Sequence, residues 1–235
     1  MELLKENITK KQQIINWLNE HGVTNYTINN DCTIDVYGDV SLSYKSLKKI
    51  PYFIQFGIVK GNFNCSYNGL ISLKGIPREV GGCFYCTNNK LKSLKGAPMY
   101  VGGYFCCIYN KLKSLKGAPN MVCGSFDCSH NKLTSLKGAP TYVIGFNCTN
   151  NKLKSLKGVP RVIIGDFYCA KNNLKTLEGA PKVVGGCFNC CSNKLTSLEE
   201  SPREVYGIFD CEYNTTKFKE EDVKKVCKVK DDIYI

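Results

Sequence analysis

The stretch FYCTNNKLKSLKGAPMYVGGY, Phe84 to Tyr104, decides the fold, because its frame recurs along most of the chain. That frame reads Phe-x-Cys-x-x-Asn-x-Leu-x-x-Leu-x-x-x-Pro-x-x-Val, with Ile once replacing the last Val. It starts at Phe63, Phe84, Phe105, Phe126, Phe146, Phe167, Phe188 and Phe209, in steps of 21, 21, 21, 20, 21, 21 and 21 residues. Each unit places Cys two residues after Phe, from Cys65 to Cys211, and Asn three residues later, from Asn68 to Asn214. Seven units continue through two leucines to a proline, and the eighth leaves the frame after Asn214. A fixed period of this length marks stacked modules, none of which can bury its own apolar face alone.

Within one unit, Phe84 and Cys86 are two apart and share one face of a strand, while Tyr85 points the other way. Gly81 and Gly82 supply a turn ahead of the strand. Asn89 follows it, with an amide able to satisfy both donors and acceptors of a bent backbone. Leu91 and Leu94 turn inward again, and Pro98 stiffens the return. Stacking such units at about 4.8 Å per strand yields a parallel solenoid in which Phe, Cys, Asn and Leu each form a row.

These residues resemble the leucine-rich repeat signature Leu-x-Leu-x-x-Asn/Cys-x-Leu, with Phe and Cys at the two strand positions. The short unit and its proline-containing return are similar to the short bacterial class. The Leu-x-Gly-Ala-Pro-x-x-Val-Gly-Gly flavour is similar to repeat proteins of large DNA viruses and bacteriophages. The resemblance covers about residues 40–214 and implies a β-rich, leucine-rich-repeat-like repeat solenoid, a right-handed parallel β coil of about eight turns. Cys where Leu is the norm implies a narrower coil, with Phe filling the difference.

The flanks read as caps, a helix plus hairpin over residues 1–39 and a short helical cap over 215–235. Thr9-Lys10-Lys11-Gln12 followed by Ile14, Ile15 and Leu18 predicts an amphipathic helix that Gly22 stops. Alternation through Ile28, Cys32, Ile34 and Val36 predicts a hairpin around Asn29-Asn30-Asp31. Val40, Leu42, Leu47 and Ile50-Pro51 form a degenerate first coil. Phe218 to Cys227 predicts a helix, acidic early and basic late as the macrodipole prefers, and Ile233-Tyr234-Ile235 a last edge strand.

Composition bounds the chemistry. The 235 residues carry 32 Lys+Arg against 20 Asp+Glu, a net charge of +12, and 43% are hydrophobic. That is too apolar for a disordered tail, and no apolar run approaches the roughly 20 residues that span a bilayer, so no membrane partner is expected. Met1-Glu2-Leu3-Leu4-Lys5-Glu6-Asn7 lacks the apolar core of a secretory signal, which predicts a cytoplasmic location and reduced thiols for the 15 cysteines. The eight ladder cysteines read as small core residues. Cys83 and Cys86 make a C-x-x-C pair, but three residues apart on a strand they face opposite sides, so no shared metal is expected. Cys83 and Cys106 are diagonal neighbours for which a disulfide would be strained. With two histidines, His21 and His130, and no recurring carboxylate beside them, neither a catalytic set nor a cofactor site is expected.

Two surfaces remain as candidates for recognition. The outward strand face carries Tyr85, Tyr104, Cys106, Asp127, Asn147, Tyr168, Asn189 and Asp210, positions that vary between units whose core letters barely change. Such variation implies that packing does not dictate them, and tyrosine is an efficient contact residue. The resulting expectation is a non-enzymatic protein-binding module whose partner docks on this face. The viral and phage resemblance implies a host protein as partner, met in the host cytoplasm. The alternative is a polyanion or nucleic-acid binder using the lysine columns of Lys90, Lys111, Lys132 and Lys152 and of Lys92, Lys113 and Lys154. Against it stand the scarcity of arginine, with Arg78, Arg161 and Arg203 alone, and an expected lack of exposed aromatics interleaved with the lysines.

Overall fold

Phe63, Phe84, Phe105, Phe126, Phe146, Phe167, Phe188 and Phe209 lie opposite one another in successive parallel strands. The computed structural model that shows this describes residues 2–235, with side chains from residue 9 onward. The eight strands belong to a ten-stranded parallel sheet. Val40–Ser41 adds a strand before Phe63–Asn64, and Ile233–Tyr234 adds one after Phe209–Asp210. The architecture is thus a leucine-rich-repeat-like β solenoid with two more turns than the Phe frame reveals. Those outer turns carry neither Phe nor Cys at the frame positions, and in the first of them Val40 and Leu42 fill the core instead.

The rows predicted to be inside are inside. Every ladder Phe is at most 1% exposed and every ladder Cys at most 2%. Phe84, Phe105 and Phe126 stack at 5.0 Å between ring centroids, inside the range where aromatic pairs attract beyond their area. Burying each ring stabilises the coil by about 1.5–3 kcal/mol. The thiols do more than fill space. Cys65, Cys107, Cys128, Cys169 and Cys190 each donate an S–H to a carbonyl of the next coil at 3.3–3.4 Å. Leucine could not make that bond.

The Asn row closes the bend after each strand. The Asn131 amide nitrogen donates to the carbonyls of Cys107, Cys128 and Ser129 at 3.0, 3.2 and 3.1 Å, and its oxygen accepts the Leu112 N–H at 3.0 Å. One side chain therefore ties two coils together, and Asn89, Asn110, Asn151, Asn172 and Asn193 repeat the pattern. Further round the coil, Gly117 has φ of +90°, a conformation that suits glycine, and an added Cβ would meet the Lys95 backbone.

A second row of short strands runs along the return segment. It is not continuous. One sheet joins Phe56–Val59, Glu79–Val80, Tyr100–Val101 and Met121–Val122, and another joins Val162–Ile163, Val183–Val184, Glu204–Val205 and Lys228–Val229. The break falls in the unit one residue short. Val143 is three residues before Phe146, whereas Val122 is four before Phe126. The shortened return cannot keep both rows in register, so the Phe row stays paired and the return row reduces to one bridge between Met121 and Tyr142.

The ends extend these rows. Helix α1 (Glu2–Glu20) starts ahead of the Thr9 predicted as its cap and ends before Gly22, whose φ is +70°. Ile14 and Leu18 are fully buried, and Trp17 meets Phe56 edge-on at 6.4 Å, continuing the aromatic row into the helix. Strands β1 (Tyr26–Ile28) and β2 (Ile34–Val36) form the predicted hairpin, and β2 then pairs in parallel with Phe56–Val59. Helix α2 (Glu220–Val226) takes the place of a leucine return, burying Val223. Its first turn is acidic, its last basic, and Asp222 accepts the Lys219 N–H at 3.0 Å. Among the described residues no helix is long and apolar enough to cross a membrane.

Candidate interaction surface

The strands bring seven of the eight predicted contact residues into one row. Tyr85 faces Cys106, then come Asp127, Asn147, Tyr168, Asn189 and Asp210, each paired in register with the next. Tyr104 stands outside that row, one residue ahead of Phe105, and is 56% exposed. All seven row members are half-buried. The expectation that packing leaves this row free needs correcting at four positions. Asp127, Asn147, Asn189 and Asp210 each accept the backbone N–H two residues on, at 2.9–3.1 Å. The Asn147 amide also donates to Asp127 at 3.0 Å, and the Asn189 amide to Asp210 at 2.6 Å. These side chains hold their own strand ends and their neighbours. They vary between units because Asn and Asp both satisfy an N–H.

The two tyrosines of the row are half-buried as well. Contact with the Cys83 thiol, then burial, pushes the Tyr85 hydroxyl up to about 12. Burial, then a hydrogen bond with Asp166, pushes Tyr168 up to about 12. Cys83 itself is half-buried rather than exposed, and its sulfur accepts the Tyr104 N–H at 3.3 Å. Cys106 meets the Thr87 hydroxyl at 3.2 Å, and burial raises its thiol. The row presents rings and amides in fixed positions, which lowers the ordering cost of binding.

The lysine columns behave as a solvated flank. Lys90, Lys92, Lys111, Lys113, Lys132, Lys152 and Lys154 are all exposed, and among the described residues none of the seven has an ion-pair partner. What fixes this segment is backbone, such as the Lys111 N–H to the Leu91 carbonyl at 2.8 Å and the Lys132 N–H to that of Leu112 at 2.9 Å. Replacing Lys111 and Lys113 together by serine is therefore expected to leave the melting temperature within about 1–2 °C, the response of surface positions that touch nothing. A larger drop by calorimetry would show the stems packed on the coil.

The expected lack of exposed aromatics beside the lysines is overturned. The residue just before the ladder Asn is Tyr67, Tyr109, His130 or Tyr213 in four of the coils, and Tyr44 takes the same position in the first coil, where Lys45 stands in place of the Asn. The backbone there is left-handed, with φ between 52° and 56°, where a non-glycine residue costs about 1–2 kcal/mol. Tyr44 and Tyr67 stack at 4.5 Å, Tyr109 and His130 lie 4.4 Å apart, and the four tyrosines are 45–77% exposed. His130 also bonds the Asn150 amide at 2.8 Å. Tyr109 and His130 come two residues before Lys111 and Lys132, so an aromatic edge separates the strand row from the lysine flank. The signal was present in the sequence as a recurring aromatic before Asn, hidden because Asn88, Asn150, Lys171 and Ser192 interrupt it.

Among the described residues no three His, Cys, Asp or Glu side chains converge on a point where a metal ion could sit. No family model matches the chain. No curated protein matches it either. Among solved structures it is similar to YopM from Yersinia enterocolitica WA-314, at 18% identity and a TM-score of 0.47, over 77% of this chain and 46% of that one. The chain thus spans less than half the length of that protein.

Proposed function

We propose that the protein is a non-enzymatic binding module that holds a protein partner against its strand row and the adjoining aromatic edge. The observation that carries this reading is the set of tyrosines on this side of the coil, half-buried Tyr85 and Tyr168 in the strand row and exposed Tyr44, Tyr67 and Tyr109 along the edge. Rigid tyrosines offer large contact area at little entropic cost. Every coil bends through the same left-handed position, filled elsewhere by Asn88, Asn150, Lys171 or Ser192, so the backbone does not require the rings that stand there. The return segment's resemblance to viral and phage repeats extends the proposal to a host-cell protein encountered in the cytoplasm.

A second reading, single-stranded nucleic acid along the edge, is favoured by the aromatic column beside Lys111 and Lys132. Salt separates the two. Six or more lysine–phosphate contacts would cost about 10³-fold or more in affinity between about 50 and 200 mM salt. We expect host protein captured at low salt to persist at high salt, and to be lost when Tyr85, Tyr109 and Tyr168 become serine, each a site worth about 2 kcal/mol. Oligonucleotide binding that falls steeply with salt, and that Lys111→Ser with Lys132→Ser abolishes, would replace the first reading with the second.

A further inference from the structure

The lysine flank is a two-dimensional array rather than a line of charge. Residues 60–165 carry fifteen Lys and Arg against Glu79 and Asp127 alone, so the net charge of +12 resides wholly in the middle coils. Neither carboxylate belongs to the flank, since Glu79 pairs with Arg78 on the return segment and Asp127 lies in the strand row. Beside the columns that contain Lys90 and Lys92 runs a third, Lys74, Lys95, Lys116, Lys137 and Lys157, and all five are exposed. Only at its end does a carboxylate arrive, where Glu178 pairs with Lys157. Lys90 and Lys95 are five residues apart, so the columns span no more than about 18 Å across the coil. Five coils at about 4.8 Å each carry the array roughly 20 Å along the axis.

One member of the array is not charged. A coil before Lys92 the same position holds Ile71, 67% exposed among the lysines. A cleft of about 500 Å³ opens beside it, lined by Ile71, Ile76, Lys74 and Lys95 among others. Apolar side chains and two ammonium-bearing ones thus line the same hollow. The partner that fits is anionic over an area and has apolar matter beneath its charge. An anionic lipid bilayer has both. Its surface potential attracts each lysine held near it, and its headgroup boundary receives an aliphatic side chain. A nucleic-acid strand follows one line and stacks on rings, and Ile71 offers it no π-face. The array holds no arginine, and lysine, a point charge without a planar fork, suits diffuse negative charge. Contact of this kind needs no membrane span. We propose that the lysine array docks the protein on an anionic lipid bilayer, with Ile71 entering the headgroup layer. The array lies past the Asn bend from the strand row, so this contact and the protein contact stand or fall separately.

The test is co-sedimentation of the full chain with vesicles of phosphatidylcholine, with and without phosphatidylserine, and melting temperature as the check on folding. The chain should pellet with the anionic vesicles alone and be released as salt rises. Lys95→Ser, Lys116→Ser and Lys137→Ser together, all at exposed positions, should melt unchanged and weaken vesicle binding about 100-fold, at about fivefold per lysine. Ile71→Ser should also melt nearly unchanged and weaken vesicle binding about fivefold. A chain that stays in solution with anionic vesicles at low salt overturns the proposal. So does equal binding to neutral vesicles, or anionic-vesicle binding indifferent to Ile71→Ser or to the triple variant. Capture by an oligonucleotide or by polyglutamate without capture by vesicles overturns it too, and assigns the array to nucleic acid or to an acidic protein.

Discussion

Raising the pH from 8 to about 10.5 should unfold this protein, and the transition should steepen with the number of ladder thiols. Burial pushes Cys65 and Cys211 up to about 12 and holds Cys86, Cys107, Cys128, Cys169 and Cys190 well above the usual thiol value of 9.0. Cys148 is raised for the same reason. Below about pH 9 these thiols are protonated in both the folded and the unfolded chain and contribute no pH dependence. Between about 9 and 12 the unfolded chain releases protons that the folded chain retains, so stability falls as pH rises. Each thiol removes about 1.4 kcal/mol per pH unit in that window. Eight acting together remove on the order of 10 kcal/mol per unit, comparable with the ~5–15 kcal/mol that holds a whole domain folded. The S–H bonds to carbonyls sharpen the effect, since a thiolate at Cys107 or Cys128 would face the carbonyl oxygen it now donates to. Circular dichroism and thiolate absorbance followed together provide the measurement. Replacing Cys107, Cys128 and Cys148 by alanine should lower the slope by about three-eighths of its value. Thiolate absorbance near pH 9 from more than the seven cysteines outside the ladder, with the fold intact, would show that the ladder thiols meet water in the folded chain.

Asn131 is the second position of large consequence. Asn131→Ala strands the Leu112 N–H and the Ser129 carbonyl, while the carbonyls of Cys107 and Cys128 keep partners in Asn110 and Asn151. Two orphaned buried groups at about 1–3 kcal/mol each, plus a void, set the loss at about 3–5 kcal/mol. Asn131→Asp is expected to be worse despite its matching shape. A carboxylate still accepts from Leu112, but it turns a second oxygen toward three carbonyls and buries a charge. In urea titrations the order of stability should be wild type, then alanine, then aspartate, with aspartate recovering at low pH once its carboxyl is protonated. Equal stability of aspartate and asparagine at neutral pH would mean that water reaches the bend.

The Phe, Cys, Asn and Leu rows were legible in the sequence because each repeats in register, so one unit read correctly predicts its neighbours. The outer turns at Val40–Ser41 and Ile233–Tyr234 lack the Phe and Cys letters, yet the apolar spacing of Val40 with Leu42 and of Ile233 with Ile235 was enough to read a first coil and a last edge strand. The broken return row followed from the missing residue before Phe146, yet which of two rows would yield is a packing outcome. Stacked rings and thiols hold one row, and little beyond valine and isoleucine holds the other. The strand row was located correctly and misjudged in character at Asp127, Asn147, Asn189 and Asp210. Whether a polar side chain turns back to its own strand or out toward a partner depends on geometry finer than a repeat reveals.

The uneven state of the two rows has a mechanical consequence. On one side of the coil ten strands form an uninterrupted spine, while on the other the pairing is severed midway between the ends. Such a body resists stretching along the spine and flexes about it, opening on the far side as a book opens about its binding. Bending is thus expected to concentrate at the shortened turn, where single hydrogen bonds replace the strand pairing, rather than to spread evenly along the coil.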